Sequence, residues 1–204
     1  MILIFKRFSL ILSLLFTLIS LNSISLSSIE NFYDNINSAR IDFSQFNHWE
    51  NINKEKKSQG TAFLKDNRFL LKYDQPDGQY LKVTNDKIEI FDPQMKNLLI
   101  KKTKFNLTNL NISYYLKKYK DKLKLKKNGD LSKIIITDTE ESSAIIKIII
   151  TINNSNVNLK KLYYLDSKNN SVTYTIKSFQ TDIFIPDKVF NIDLPEDVNI
   201  IKQN

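Results

Sequence analysis

The chain has no cysteine, a single histidine (His48) and three glycines (Gly60, Gly78, Gly129) in 204 residues. Without cysteine there is no disulfide scaffold, thiol nucleophile, zinc–thiolate site or lipid anchor on a cysteine. One histidine leaves little for a metal cluster or a histidine base, and no acid–nucleophile set accompanies it. Beside Trp49 it reads as a partly exposed residue at a strand end. Three scattered glycines make no phosphate-cradling loop. Asp86, Asp92 and the Glu140-Glu141 pair fall in turns, and no spacing marks them as a hydrolytic carboxylate pair. No catalytic residue, metal or cofactor is therefore expected. Arginine is scarce too: only Arg7, Arg40 and Arg68 among 30 basic residues. The net charge of +8 would suit nucleic acid or an anionic surface. Lysines scattered through an Asn- and Ile-rich chain look instead like a composition bias. The densest basic run, from Lys117 to Lys127, reads as a solvated face, with docking to an acidic partner or anionic headgroups as the sharper option.

What is present is ordinary globular material, 42% hydrophobic and 25% charged, enough to bury a core in one domain. Residues 1–27 read as a secretory signal peptide. Lys6 and Arg7 precede an apolar run of about 14 residues, short of the roughly 20 that span a bilayer. Ser25-Leu26-Ser27, or Ser23-Ile24-Ser25, offers small residues for cleavage. The remainder, 28–204, is expected to be one exported domain that uses no disulfide in an oxidising compartment.

Residues 28–38 place Ile29, Phe32, Tyr33 and Ile36 on one helical stripe, with Ser28 as the expected N-cap. The period then switches to two. Strands are expected from Ile41 to Phe46, Gly60 to Lys65, Phe69 to Tyr73, Gln79 to Val83, Lys87 to Phe91 and Leu98 to Lys101. Lys54 to Lys57 reads as a charged turn. Gln75-Pro76-Asp77-Gly78 places Pro and Gly where a tight turn uses them. A second amphipathic helix over 107–120 carries Leu107, Leu110, Ile112, Tyr115 and Leu116, capped by Thr108 or Asn109. Strands resume at 122–126, 133–137, 144–152, 159–165 and 172–178, with a last piece at 189–192. Short links between consecutive strands mean antiparallel pairing. The expected fold is mainly β with two α-helical elements: an incomplete, unclosed antiparallel β-barrel of about 11 strands, its helices lying as a lid on the concave face. An apolar space between lid and sheet could hold an acyl chain. At about 0.8 kcal/mol per methylene, a chain of about 15 carbons gains on the order of 10 kcal/mol. The alternative is a filled core.

Several short motifs sit in a particular order. They are Ile41-Asp-Phe43-Ser-Gln45; Gly60-Thr-Ala-Phe-Leu-Lys65 followed by Arg68-Phe69 and Tyr73-Asp-Gln-Pro76; Ile88-Glu-Ile-Phe-Asp-Pro93; and Phe190-Asn-Ile-Asp-Leu-Pro195-Glu-Asp-Val198. In order and spacing they resemble the periplasmic outer-membrane lipoprotein carriers, the LolA family, over nearly all of 28–204. The resemblance implies a carrier that takes acylated lipoproteins from an inner-membrane ABC lipoprotein-releasing transporter and passes them to an outer-membrane lipoprotein receptor, working as a monomer without cofactor or nucleic acid. It implies a lid latched by an arginine of an Arg-Pro motif. Here that stretch reads Lys65-Asp66-Asn67-Arg68, which makes Lys65 or Arg68 the latch candidate. A lysine lacks the forked contacts of a guanidinium. Asn85 stands where the family usually has glycine. Phe69 matches a family aromatic associated with lipid binding and lid movement. The candidate cavity and lid residues are Phe32, Ile36, Phe43, Phe63, Phe69, Phe91, Leu107, Leu110, Ile112, Tyr115 and Leu116; for each, ordinary core is the alternative. An exported cationic module that binds nucleic acid or a surface is the competing reading.

Overall fold

The computed structural model describes residues 24–102, 111–137 and 144–203. Leu107 and Leu110, the expected caps Thr108 and Asn109, and residues 1–23 of the expected signal peptide lie outside the described residues.

Helix α1 (Leu26–Asp34) starts earlier than expected. Ser25 is its cap: its side chain accepts the Ser28 amide, and Ser28 answers with its own hydroxyl to the Ser25 backbone. Ser28 is thus the partner residue of a capping box, not the cap itself. The chain then enters β1 (Ser38–Trp49), a 3-10 turn (Glu50–Ile52) and β2 (Lys54–Lys65). The charged run 54–57 therefore belongs to a strand. The turn falls just before it because Asn53 tolerates a left-handed φ of 44°. Strands β3 (Arg68–Gln75), β4 (Asp77–Val83), β5 (Lys87–Asp92) and β6 (Asn97–Lys102) follow as hairpins. Helix α2 (Ile112–Lys118) is capped by Asn111, whose side chain accepts the Ser113 amide. After a 3-10 turn (Lys120–Lys122) come β7 (Leu123–Asn128), β8 (Leu131–Thr137), β9 (Ile145–Asn153), β10 (Leu159–Asp166) and β11 (Ser171–Thr181). The expected strand at 189–192 is absent. A 3-10 turn (Asp187–Phe190) stands there, and the last strand is β12 (Asn199–Gln203).

All twelve strands join one sheet in the order β12-β6-β5-β4-β3-β2-β1-β11-β10-β9-β8-β7. Its two ends do not pair with each other, so the sheet is an unclosed barrel of twelve strands. Neighbours are antiparallel except β12, which lies parallel to β6 because the chain crosses the sheet before entering it. The seam is β1 with β11, where the two halves of the chain meet: Ile41 faces Phe179 and Phe43 faces Ile176. Gly60 has a steric reason to be glycine. A Cβ there would lie 2.0 Å from the Lys72 carbonyl oxygen across the β2–β3 pair.

Each face of the sheet carries its own apolar layer. On the inner face, Ile29, Tyr33 and Leu116 of the two helices pack onto Ile134, Ile148 and Ile150 of β8 and β9. On the outer face, Leu70, Tyr80, Phe91 and Leu98 of β3 to β6 are covered by Ile185 and Phe190 from the stretch between β11 and β12. Burial, aided by the nearby Glu89 carboxylate, pushes the Tyr80 phenol up to about 12.

Candidate functional site

Between the helix pair and the sheet lies a cavity of about 300 Å³, at the lower end of the size of ligand pockets. Period two explains its floor. Ala39, Ile41 and Phe43 project from one face of β1. Their register partners Leu64, Ala62 and Gly60 share that face on β2, and Phe69 and Leu71 share it on β3. Tyr33 and Ile36 close it from the α1 side, and Asn111 and Ile112 from the start of α2. Its wall is almost wholly apolar, and among the described residues no charged one contributes to it. The Phe43 ring is wedged edge-on against Tyr73 (5.8 Å between centroids) and Tyr174 (5.5 Å).

Of the residues expected to line such a cavity, the structure brings four together there: Ile36, Phe43, Phe69 and Ile112. The other candidates among the described residues are placed elsewhere. Phe63 and Phe91 project from the outer face and belong to the layer under Phe190. The register explains this: Phe63 pairs with Arg40 and Leu70, one step out of phase with the Ile41–Ala62–Leu71 row. Phe32 packs on the helix–sheet core, edge-on to Tyr33 at 5.1 Å. Leu116 is fully buried in that core. Tyr115 borders a second cavity, described below. The lining residues not singled out in the sequence include Ala39, Leu64, Leu71, Leu81, Leu162 and Tyr174. Parity with Phe43 on β1 would have found Ala39; the rest needed the pairing register.

Among the described residues, Lys65 and Arg68 make no hydrogen bond or ion pair to α1 or α2. Cross-strand partners at the β2–β3 turn, they point to the outer face with Phe63 and Leu70. Lys65 Nζ donates to the Ile185 carbonyl (3.0 Å) and to Asp187 Oδ1 (2.8 Å). Arg68 Nη2 donates to the same oxygen (2.7 Å), and its guanidinium lies 4.6 Å from the centre of the Phe190 ring. The expected lid latch is thus a clamp on the segment before β12. Hydrogen bonds from Lys65 and Arg68 hold the Asp187 carboxyl down to about 2. The polar ties of the helix pair are others. Asn111 Nδ2 donates to the Tyr33 carbonyl at 2.7 Å, Lys117 pairs with Asp34 at 2.5 Å, and the Tyr33 hydroxyl donates to the Val157 carbonyl at 2.9 Å. Burial pushes the Tyr33 phenol up. His48 ends β1, between Glu50 (2.9 Å) and Glu55 (3.6 Å), outside the cavity lining.

A family model described as outer membrane lipoprotein carrier protein LolA matches residues 34–193. The chain belongs to the LolA family. The clamp, and every cavity-lining residue except Tyr33, lie within the matched residues. Among solved structures, an uncharacterized conserved protein from Thermus thermophilus has a TM-score of 0.58 at 11% identity, over 88% of this chain and 100% of that one. That likeness shows the fold. A LolA superfamily protein from Nitrosomonas europaea aligns at TM-score 0.41 and 11% identity, covering 83% of this chain and 99% of its own. A DUF1329 family protein from Desulfovibrio piger aligns at 0.48 and 10%, covering 81% and 94%. No curated protein matches the chain. Among the described residues no helix is long and apolar enough to cross a membrane.

Proposed function

We propose that the protein is a periplasmic carrier that binds the acyl chains of lipoproteins in the cavity beneath the helix pair and moves them from the inner to the outer membrane. Cargo is taken from an inner-membrane ABC lipoprotein-releasing transporter and given to an outer-membrane lipoprotein receptor, with the carrier acting as a monomer and needing no cofactor. The observation that carries this reading is the cavity itself. Uncharged and apolar, it separates the helix pair from the sheet floor in a chain of the LolA family. An empty apolar space costs the fold dispersion contacts that a methylene chain restores. Burial of each methylene adds about 0.8 kcal/mol. Release needs the reverse step to be available. Among the described residues the polar ties of the helix pair are few (Asn111 to Tyr33, Lys117 and Ser113 to Asp34, and Tyr33 to Val157), so helix movement breaks few hydrogen bonds. Cargo then passes to whichever partner binds it more tightly.

Titration of the purified exported form with an environment-sensitive apolar dye and with a long-chain detergent tests the reading. The expected result is saturation near one equivalent, with competition between the two. Ala62→Phe, which projects a ring into the cavity from its floor, should weaken both at least tenfold with the fold retained. A well-folded protein that takes up neither probe refutes the proposal.

A further inference from the structure

At one end the cavity wall changes character. Tyr164 and Tyr174 line the apolar cavity and also a second one of about 450 Å³, together with Trp49 and Tyr115. The β10–β11 register sets Tyr174 opposite Leu162 and Tyr164 opposite Val172, which makes the two tyrosines diagonal neighbours on the inner face. On β1, Gln45 stands opposite Tyr174, and it accepts the Tyr73 hydroxyl at 2.7 Å. The proton of Tyr73 is thereby engaged. Those of Tyr164 and Tyr115 are not: neither hydroxyl has a hydrogen-bond partner among the described residues. Among those same residues, no side-chain polar atom sealed from solvent lacks a partner. The Tyr164 hydroxyl therefore opens onto cavity space, although its ring is set deep in the wall. Burial pushes the Tyr164 phenol up, with Tyr115 and Tyr174 beside it adding to the effect. Burial likewise raises Tyr115 and Tyr174. All three stay protonated at neutral pH, but Tyr174 already shares a hydrogen bond with Tyr73, so the uncommitted donors are Tyr164 and Tyr115.

Among the described residues the one carboxylate lining the second cavity is already occupied. Asp166 accepts the amides of Lys168 and Asn170 (2.8 Å each) and the Asn170 side-chain amide (2.9 Å) within its own turn. It is poorly placed to counter a cation, and among the described residues no lysine or arginine lines the second cavity to meet an anion. Uncharged hydroxyl donors facing open space beside an apolar slot fit a neutral acceptor attached to an apolar tail. We infer that Tyr164 and Tyr115, with Tyr174 packed between wall and cavity beside them, form a carbonyl-binding subsite that takes the ester or amide group at the head of an acyl chain whose tail lies in the apolar cavity. This rests on the acyl-carrier reading and names the part of the ligand that reading leaves open. The site selects acyl chains over plain hydrocarbon and fixes which end of the chain points toward Trp49.

Two lipids that differ at one group test it: 1-monopalmitoylglycerol, an ester, and 1-O-hexadecylglycerol, its ether counterpart without the carbonyl. Each is titrated by competition against the apolar dye. The native protein should prefer the ester by on the order of fivefold, the worth of about one net hydrogen bond. Tyr164→Phe, which keeps the ring, should bring the ratio close to one, with the affinity for the ester falling more than that for the ether. Tyr115→Phe provides a second, more exposed variant and should lower the ratio in the same direction. Equal binding of ester and ether by the native protein overturns the inference and leaves the acyl reading standing. So does a Tyr164→Phe protein that loses affinity for both lipids alike. If neither lipid nor dye binds, the acyl reading falls and the inference with it.

Discussion

Phe43 and Phe190 make a matched pair of probes, because both rings are buried, at 2% and 1% exposure, on opposite faces of one sheet. Phe190 sits in a filled layer against Leu70, Tyr80, Phe91 and Leu98 and under the Arg68 guanidinium. Phe190→Ala removes a ring with partners on all sides, so the loss should fall in the usual range for buried Phe→Ala, about 3–5 kcal/mol. For a domain of this size that lowers Tm by roughly 6–20 °C, at about 2–4 °C per kcal/mol. Phe43 is touched by Tyr73 and Tyr174 along its edges but borders the cavity. A surface facing empty space has already forfeited its dispersion contacts. Phe43→Ala should therefore cost less, about 2–3 kcal/mol, and should enlarge the cavity. Thermal unfolding gives the stabilities, and dye titration gives the second readout. The larger stability loss at Phe190 should leave dye affinity unchanged, whereas the smaller loss at Phe43 should alter it several-fold. A folded Phe190→Ala protein that no longer takes up dye, or a Phe43→Ala protein with an unchanged isotherm, would refute the assignment of hollow and filled faces.

Two other outcomes follow from the polar contacts. Asp187 has a pKa held at about 2 in the fold, below the ordinary carboxylate value of about 3.9, so its clamp is fully effective above about pH 4 and is lost as pH falls toward 2. Hydrogen exchange of residues 183–192 should accelerate across that window, and Asp187→Asn should remove the pH step. Asn111 both caps α2 and bridges to the Tyr33 carbonyl. Asn111→Ala should cost about 1 kcal/mol from the cap and raise hydrogen exchange in α2, with faster dye uptake; unchanged exchange in α2 would show that packing alone holds the helix.

The strand ladder and two amphipathic helices were legible in the sequence because apolar spacing and turn residues report local structure directly. The Gln75–Gly78 turn fell where a hairpin turns, with φ of 78° at Gly78. Which face each strand residue occupies was not legible. Period two sorts residues into two sets, but only the pairing register says which set of β2 matches which set of β1. With the first turn expected at 54–57 instead of 50–53, Phe63 and Lys65 could not be assigned to the outer face. The cover over that face was hidden for another reason. Residues 183–192 have the alternation of a strand but pair with none, since Ile185 and Phe190 are held by side-chain packing and by the Lys65–Asp187–Arg68 contacts. Capping showed the same pattern. Ser25 and Ser28 are both good caps by type, and only the reciprocal hydrogen bonds decide between them.

The β1–β11 seam has a kinetic consequence. Its register partners, such as Ala39 with Thr181 and His48 with Ser171, are separated by more than 120 positions along the chain, while most other neighbouring strands are linked by short turns. Each hairpin block can zip locally, but joining the blocks requires closure of a long loop. Ile41, Phe43, Ile176 and Phe179 are contributed from both sides of that junction. A newly made chain therefore has no complete cavity floor until its last long strand has emerged and docked.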